Sequence, residues 1–303
     1  MTEQGKQIIK HIVLPGGGPT GIKTIGILQQ LEKSGYWSIE NIESIYATSI
    51  GCMIGILIAL KFDWQTINDY IIKRPWHEIA RLNINQVFNI FSKKGLYDVS
   101  IMHLFFKPFF DSRDISMHIT FKEFYNLTNI DLHFFSLEIN NFSIEDISHR
   151  TMPDAELLSC AYMSATLPLL FSPICIGDKC YVDGGVLTNY PLKYCIDRIG
   201  RERENEILGI KNSYDSNNRQ CITNESTILE FIMSFITNLI VNFHKDESSL
   251  QKCDCKEVLC ECEPVSLSYL RETVKSQKKR EELLEAGIKY AEDFIKNENM
   301  KNA

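Results

Sequence analysis

Three consecutive glycines follow a short apolar run and one proline near the start of the chain. The segment is VLPGGGPTGIKT, residues 13–24, and the run before it, IIKHIVL, has the β-branched composition of a buried strand. A glycine-rich turn between a strand and a helix can cradle a phosphate, or it can direct backbone N–H groups at an oxyanion. These two kinds of chemistry imply different classes of protein.

Spacing decides only part of this question. A Walker A loop has the pattern G-x-x-x-x-G-K-[ST], whereas in this chain Ile22 separates the last glycine from the lysine. One inserted residue turns the lysine by about 100° around a helix, away from the phosphates that it must reach, so this alternative fails. The dinucleotide pattern G-x-G-x-x-G does match, at Gly16, Gly18 and Gly21. Because two glutamates lie about 20 residues further on, where a ribose partner is expected, the glycines alone leave dinucleotide binding open.

A serine follows the next β-branched run. ATSIG, residues 47–51, matches the G-x-S-x-G nucleophile elbow at Ser49 and Gly51, with Ala47 in place of the first glycine. In such an elbow a tight strand-to-helix turn exposes the hydroxyl, and the flanking residues must be small because strand and helix crowd there. The alternative is a serine that caps the following helix and has no catalytic role.

An aspartate followed by two glycines appears later in the chain. In YVDGGVLTNYPL, residues 181–192, Asp183 ends an apolar strand pattern, and Gly184 and Gly185 let another backbone approach closely. The commoner use of an Asp-Gly pair is a simple bend, and that alternative stays open for this segment alone.

In this order, the three segments resemble the patatin-like phospholipases. The family pattern is a G-G-G-x-[RK]-G loop, a G-x-S-x-G elbow and a D-G-[GA] aspartate, which appear in this chain as GGGPTG, ATSIG and DGG. GLYD, residues 95–98, is similar to the family's Gly-Leu-aromatic-Asp segment. SATLPLLFSP, residues 164–173, is similar to its run of small residues, proline and phenylalanine. The resemblance spans about residues 8–211.

The resemblance implies a catalytic pair of serine and aspartate without histidine. Carried over, Ser49 is the nucleophile and Asp183 is the base that takes its proton, as a serine hydroxyl requires. A dry site would raise the proton affinity of the aspartate enough for this task. The backbone amides of the glycine loop then form the oxyanion hole. The residues implied for that hole are Gly16, Gly17 and Gly18, and those that support the elbow and loops are Ala47, Gly51, Gly21, Gly184 and Gly185.

Two positions depart from the family pattern: Thr20 replaces its arginine or lysine, and Ala47 replaces the first glycine of the elbow. The first change removes a charge that would brace the loop or meet a phosphate head group. Since neither change deletes a reacting atom, we predict a lipid acyl hydrolase of phospholipase A type, which needs no cofactor or metal. The alternatives are a catalytically impaired protein of the same fold that binds lipid or another partner, and a nucleotide-binding α/β protein.

The elements around these motifs predict an α/β fold. Strand, helix, strand and helix patterns follow one another within about sixty residues, as in a parallel sheet. With the resemblance, this predicts a three-layer α/β/α fold with a mostly parallel central sheet and added C-terminal helices. A hairpin is expected to turn at residues 177–178, and EILGI, residues 206–210, is expected to be the last strand of the core.

The composition changes beyond residue 212. We therefore predict a catalytic domain over residues 1–212 and a helical extension with a cysteine-rich loop over residues 213–303, packed on the core. TILEFIMSFITNLIVNF, residues 227–243, has apolar residues at near-helical spacing, which suits a helix lying in a membrane interface or, more commonly, one packed on the core. A long charged helix is expected over residues 268–296. Its KSQKKR segment would favour anionic lipid, although a solvated face is the default.

Charge and cysteine content indicate the environment. The net charge of −7 gives no basic field for a nucleic acid, and the longest apolar run has about half the ~20 residues of a membrane span. Ten cysteines without a signal-peptide pattern favour free thiols, so we expect a cytoplasmic protein at the membrane periphery. Four of them form two Cys-x-Cys pairs, which are closer than zinc ligands usually are, and an exposed acidic loop is the favoured interpretation. They are Cys253, Cys255, Cys260 and Cys262.

Overall fold

The computed structural model describes residues 8–79, 92–214, 221–247 and 253–301. The strands of these ranges are β1 His11–Leu14, β2 Ser44–Thr48, β3 Gly95–Tyr97, β4 Asp131–Glu138, β5 Ser143–Ser148, β6 Leu169–Phe171, β7 Ile174–Ile176, β8 Lys179–Asp183, β9 Ile207–Tyr214 and β10 Lys256–Cys262. The helices are α1 Gly21–Lys33, α2 Ile50–Ala59, α3 Trp64–Lys73, α4 Trp76–Ile79, α5 Ser100–Asp111, α6 Phe121–Thr128, α7 Leu157–Ala165, α8 Leu192–Ile199, α9 Ile228–Glu247, α10 Leu267–Lys275 and α11 Gln277–Lys301.

The central sheet is mostly parallel. Its strand order is β10-β9-β1-β2-β4-β8-β7, with β5 paired to β4 outside this path. The five strands from β10 to β4 are parallel, while β5, β7 and β8 add antiparallel pairs at one side. The parallel order places the carboxyl ends of β1 and β2 side by side, so the loops that follow them meet at one edge.

Alternation along the strands divides the core into two layers. The buried apolar residues form two clusters, a larger one on the side of the sheet covered by α1, α2, α7 and α11, and a smaller one on the side covered by α8. On β2, Ile45 and Ala47 belong to the larger cluster, and Tyr46 between them belongs to the smaller one. The neighbouring residues Phe134 and Phe135 of β4 divide in the same way. Helices therefore cover both faces of the sheet, and the predicted three-layer α/β/α architecture is confirmed.

The cysteine-rich segment is a strand, and the prediction of an exposed loop there is wrong. β10 pairs in parallel with β9 along its whole length, so β9 is not the last strand of the core. Val258, Cys260 and Cys262 point into the core, whereas Leu259 and Glu261, which alternate with them, are exposed. Within the described ranges, no three histidine, cysteine or acidic side chains are arranged to hold a metal ion.

The hairpin predicted at residues 177–178 is present between β7 and β8, and Cys175 and Cys180 form a disulfide across it. The expectation of free thiols is therefore wrong for this pair, while the other eight cysteines are free. The single long C-terminal helix is instead two helices that meet at Ser276, whose hydroxyl accepts the Lys279 N–H. Every helix in the described ranges falls short of what a bilayer crossing requires.

Candidate active site

The turn between β2 and α2 presents Ser49 in an unusual backbone conformation. Its φ is 56° and its ψ is −124°, a combination that non-glycine residues rarely adopt and that is typical of a nucleophile elbow. Two contacts hold this turn: the Ser49 N–H donates to Ser164 Oγ at 2.9 Å, and Thr48 Oγ1 donates to the Thr188 carbonyl at 2.9 Å. The strain is therefore supported from outside the turn, by the segments around residues 164 and 188.

Asp183 is the last residue of β8, and its backbone is fixed from two sides. The residue lies opposite Ser136 on the antiparallel neighbour β4, and its N–H donates to the Thr166 carbonyl at 2.9 Å. Its side chain caps the short 3-10 turn Gly184–Val186, since Oδ1 accepts the Gly185 N–H at 2.7 Å. One carboxylate oxygen is thus anchored, which leaves Oδ2 for another partner.

That partner is Ser49. The Ser49 hydroxyl donates to Asp183 Oδ2 at 2.7 Å, although the two residues lie 134 positions apart in the chain. Both side chains are largely shielded, with 9% of Ser49 and 4% of Asp183 exposed. Burial raises the pKa of Asp183 to about 6, against the opposing effect of the hydrogen bonds from Ser49 and Gly185. The carboxyl group is therefore a stronger base than a solvated aspartate and remains ionised at neutral pH.

The glycine loop lies against this pair. A Cβ on Gly16 would lie 3.0 Å from Ser49 Cβ and 2.6 Å from Asn189 Oδ1, so only glycine fits there. The Gly16 N–H donates to the Asn189 carbonyl at 3.1 Å and is thus already engaged. The N–H groups of Gly17 and Gly18 make no hydrogen bond to another described residue, and both residues have positive φ, 145° and 53°. Two of the three predicted amide donors are therefore available to a bound oxyanion.

The supporting glycines occupy positions of close backbone approach. A Cβ on Gly51 would meet the carbonyl oxygens of Leu14 and Pro15 at 2.9 Å, and one on Gly184 would meet the Phe135 oxygen at 2.1 Å. The remaining supporting positions are the buried Ala47 on β2, Gly21 at the start of α1, and Gly185, whose N–H binds Asp183. Of these residues, Gly185 contacts the pair directly, and the supporting role of the set stays a prediction.

Three polar residues that the motifs did not indicate also hold the site. Ser164 receives the Ser49 N–H, and Asn189 receives the Gly16 N–H through its carbonyl. Asn212, near the end of β9, donates from Nδ2 to the Gly16 carbonyl at 2.6 Å. The glycine loop is therefore held by both the segment after Asp183 and a strand on the far side of β1.

Thr20, which replaces the cation of the family pattern, is buried behind the glycine loop. The next lysine, Lys23, does not substitute for that cation, because its Nζ donates to the Glu261 carbonyl of β10 at 2.7 Å. The loop consequently carries no positively charged side chain of its own, and the donors that it offers are backbone amides.

The two further segments of the family resemblance contact each other. β3 carries the GLYD segment and pairs in parallel with β6, which lies in SATLPLLFSP, with Gly95 opposite Leu169 and Tyr97 opposite Phe171. The Tyr162 hydroxyl on α7 joins this small sheet to the core by donating to the carbonyls of Tyr97 and Ser172. It braces α7, the helix that also carries Ser164.

No described histidine hydrogen-bonds to Ser49 or Asp183. His149 instead contacts Asp131 at 3.0 Å and stacks on Tyr125. Asp131 begins β4, whereas the part of β4 beside Asp183 is near its other end. The pair of serine and aspartate thus has no third member of the classical triad among these residues.

Comparisons with known proteins show which family the chain belongs to. The family model described as "Patatin-like phospholipase" matches residues 12–196. "Probable lipid hydrolase 463L" of Invertebrate iridescent virus 6 is 26% identical over 189 residues, which are 62% of this chain and 63% of that relative, just under two thirds of its length. An uncharacterized protein of Acanthamoeba polyphaga mimivirus is 22% identical over 274 residues, 84% of this chain and 91% of the relative.

Solved structures extend the agreement to the fold. VipD from Legionella pneumophila superposes with a TM-score of 0.55 at 16% identity, over 95% of this chain and 67% of VipD. At that identity the similarity concerns the fold alone. The family model covers well over half of the chain, and its residues 12–196 include all three motifs. The chain therefore belongs to the patatin-like phospholipase family.

Proposed function

We propose that the protein is a lipid acyl hydrolase of phospholipase A type, which cleaves a fatty-acyl ester of a membrane phospholipid. The observation that carries the proposal is the 2.7 Å hydrogen bond from the Ser49 hydroxyl to Asp183, beside two unoccupied amides of the glycine loop. A nucleophile, a base and oxyanion donors are the three parts that acyl transfer requires.

In the proposed mechanism, Asp183 takes the proton of the Ser49 hydroxyl as the oxygen attacks the ester carbonyl. The carbonyl oxygen becomes an oxyanion, and the amides of Gly17 and Gly18 donate to it. Collapse of this intermediate breaks the ester bond, and Asp183 returns its proton to the departing alcohol. Water then attacks the acyl-serine with Asp183 again as the base, which releases the fatty acid and restores both side chains.

The two departures from the family pattern, Thr20 and Ala47, affect the choice of head group more than the hydrolysis of the ester. Thr20 is buried and neutral, so a phosphate head group near the loop would find amides and no cation. Ala47 is fully buried on β2 and lies two residues before Ser49, whose hydrogen bond to Asp183 is intact beside it. We therefore favour an active enzyme over the alternative of an impaired lipid-binding module.

The proposed substrate and setting follow from the family and from one relative that is named as a lipid hydrolase. A phospholipid resides in a bilayer, so the enzyme must act at a membrane surface. Eight of the ten cysteines are free thiols, which suits the reducing cytoplasm. The proposal is a peripheral enzyme on the cytoplasmic side of a membrane.

The test is labelling of Ser49 by a fluorophosphonate probe, together with release of fatty acid from phospholipid vesicles. Ser49→Ala and Asp183→Asn should each lower hydrolysis by at least about a thousandfold, because the two side chains act as one unit. Ser34→Ala and Asp178→Asn are matched controls, since both residues are exposed and lie away from the pair. Vesicle binding without labelling of Ser49 would instead identify the impaired lipid-binding module.

A further inference from the structure

Helix α9 is apolar on both sides, since Met233 and Val241 on the side toward the protein are only 1% and 3% exposed. Large apolar side chains lie on its solvent side, where Ile228 is 76%, Phe231 54%, Phe235 58% and Phe243 57% exposed. They recur at helical spacing and form one outward face. Thr237, which lies between Met233 and Val241 on the inner side, is 6% exposed. A helix that serves only the core places polar residues outward, so burial on the core explains the inner side of α9 but not its exposed phenylalanines.

The outward face of α9 carries no charge among the described side chains. The one ionised residue between Ile228 and Phe243 is Glu230, which is engaged at the start of the helix: its Oε2 accepts the Thr227 N–H at 2.8 Å and the Thr227 hydroxyl at 2.9 Å. Four large apolar side chains exposed on one side of a helix are uncommon on a protein that works alone in water.

The position of α9 connects this face to the site. The helix packs against the turn Gly184–Val186, which follows Asp183 directly. On its inner side, Thr237 Oγ1 donates to the Val265 carbonyl at 2.9 Å, and the Val265 side chain lies beside Gly18, 3.6 Å from where a Cβ on that glycine would be. The helix therefore touches segments that adjoin both halves of the site, the base and the glycine loop.

We propose that the outward face of α9 docks on the surface of a zwitterionic phospholipid bilayer and holds the Ser49 site against its substrate. This inference rests on the proposed function, because a lipid ester must reach Ser49 from a membrane. An uncharged face of phenylalanine and isoleucine suits shallow insertion among lipid head groups. The net charge of −7 disfavours attraction to anionic lipid, so apolar burial drives the docking.

The experiment measures vesicle binding in a Ser49→Ala background, so that hydrolysis does not alter the membrane. The chain is floated with phosphatidylcholine vesicles, with and without phosphatidylserine, at low and high salt. We expect binding to pure phosphatidylcholine that persists at high salt. Phe231→Gln with Phe235→Gln should weaken it by about tenfold for each side chain removed from the apolar phase. Leu127→Gln is the matched control, because Leu127 is 57% exposed on α6, another helix, and should leave binding unchanged.

A second readout is independent of any loss of folding. In a Phe235→Trp variant the tryptophan fluorescence should shift to the blue with vesicles and be quenched by lipids that carry a quencher in the acyl chain. Leu127→Trp should show neither effect. Absence of the shift at residue 235, or equal binding by the double glutamine variant, would overturn the proposal.

Other outcomes identify a different partner. Binding that needs phosphatidylserine and disappears at high salt would overturn the proposal in favour of the basic segment near residue 278. A dimer that forms without lipid and is lost in the double variant would make a second copy of the chain the partner of α9. A wild-type protein that cleaves a water-soluble ester but does not bind vesicles would refute the docking face alone. Vesicle binding through α9 without labelling of Ser49 would refute only the hydrolase.

Discussion

At the scale of single residues, the site depends on one carboxyl group that is buried deeply enough to hold a proton close to neutral pH. The pKa of Asp183 is raised to about 6 by burial. We expect kcat/KM for a water-soluble ester to fall as the pH drops through about 6, because protonated Asp183 cannot accept the Ser49 proton. The measurement is a pH–rate profile of the free enzyme. A profile that stays flat through this range would remove Asp183 from the role of base.

The same burial has a cost in stability. The folded pKa of Asp183 lies above its ordinary value of 3.8, so the folded state binds this proton more tightly than the unfolded state does. Stability is therefore lost as the pH rises from about 4 to about 6, and the loss is complete above that range. We expect Asp183→Asn to be more stable than the wild type at about pH 8, by at most about 3 kcal/mol, and equally stable near pH 3.

Urea unfolding at several pH values measures this difference. Asp178→Asn is the matched control, because Asp178 is exposed in the turn between β7 and β8. Its substitution should leave the stability unchanged both at about pH 8 and near pH 3. A variant at residue 183 that is less stable than the wild type at all pH values would show that the lost hydrogen bonds outweigh the relieved burial of charge.

The residues of the site differ in how well their roles could be predicted from the sequence. Ser49 and Asp183 could be predicted because each stands in a short motif with glycines that only a tight turn requires. The roles of Asn189 and Asn212 could not, because Asn189 contacts Gly16 through its backbone carbonyl, which any residue has, and Asn212 stands in no motif. Only the fold brings β9 beside β1 and thus Asn212 beside the glycine loop.

At the scale of elements, α2 contains two glycines, Gly51 and Gly55, in different surroundings. Replacing each with alanine distinguishes the effect of steric crowding from that of helix propensity. A Cβ on Gly51 would lie 2.9 Å from two backbone oxygens at the end of β1, whereas one on Gly55 would make an ordinary 3.4 Å contact with Ile45. We expect Gly51→Ala to destabilise the fold by about 1–3 kcal/mol and to slow probe labelling, because the helix must move away from β1. Gly55→Ala should gain up to about 1 kcal/mol from helix propensity.

Thermal unfolding and the labelling rate of Ser49 measure the two effects in the same proteins. Equal behaviour of the two alanine variants would mean that α2 does not approach β1 as closely as the elbow geometry demands.

The strand β10 has the residue pattern of a strand, but its cysteines suggested a different interpretation. Its buried residues Val258, Cys260 and Cys262 alternate with exposed ones, which is the period of a half-buried strand. Cysteine behaves as a small apolar residue when it is buried, yet a cluster of four suggested metal chemistry or an acidic loop. In the sequence, α9 lies between β9 and β10. The two strands pair only after the chain has folded, and the residues near β10 in the sequence do not indicate that pairing.

At the scale of the whole molecule, the C-terminal segment is built into the core. β10 extends the central sheet, and α11 packs along α1 with very close backbone approach: a Cβ on Gly26 would lie 2.3 Å from the Leu284 oxygen. Arg280 is 4% exposed and donates to the carbonyls of Ile72 and Thr273, so it joins α3 to α10. The division at residue 212 stays a prediction, but these contacts favour one cooperative unit.

Gly287 on α11 tests that cooperativity. A Cβ there would lie 2.1 Å from the Lys23 oxygen of α1, so Gly287→Ala should cost about 2 kcal/mol or more despite the better helix propensity of alanine. We expect urea unfolding to remain a single transition with a lower midpoint. Because α1 follows the glycine loop directly, probe labelling of Ser49 should be lost over the same range of urea concentration. Glu285→Ala, exposed on the same helix, should leave that midpoint in place. If the C-terminal segment were an independent domain, Gly287→Ala would instead produce an early transition during which Ser49 is still labelled.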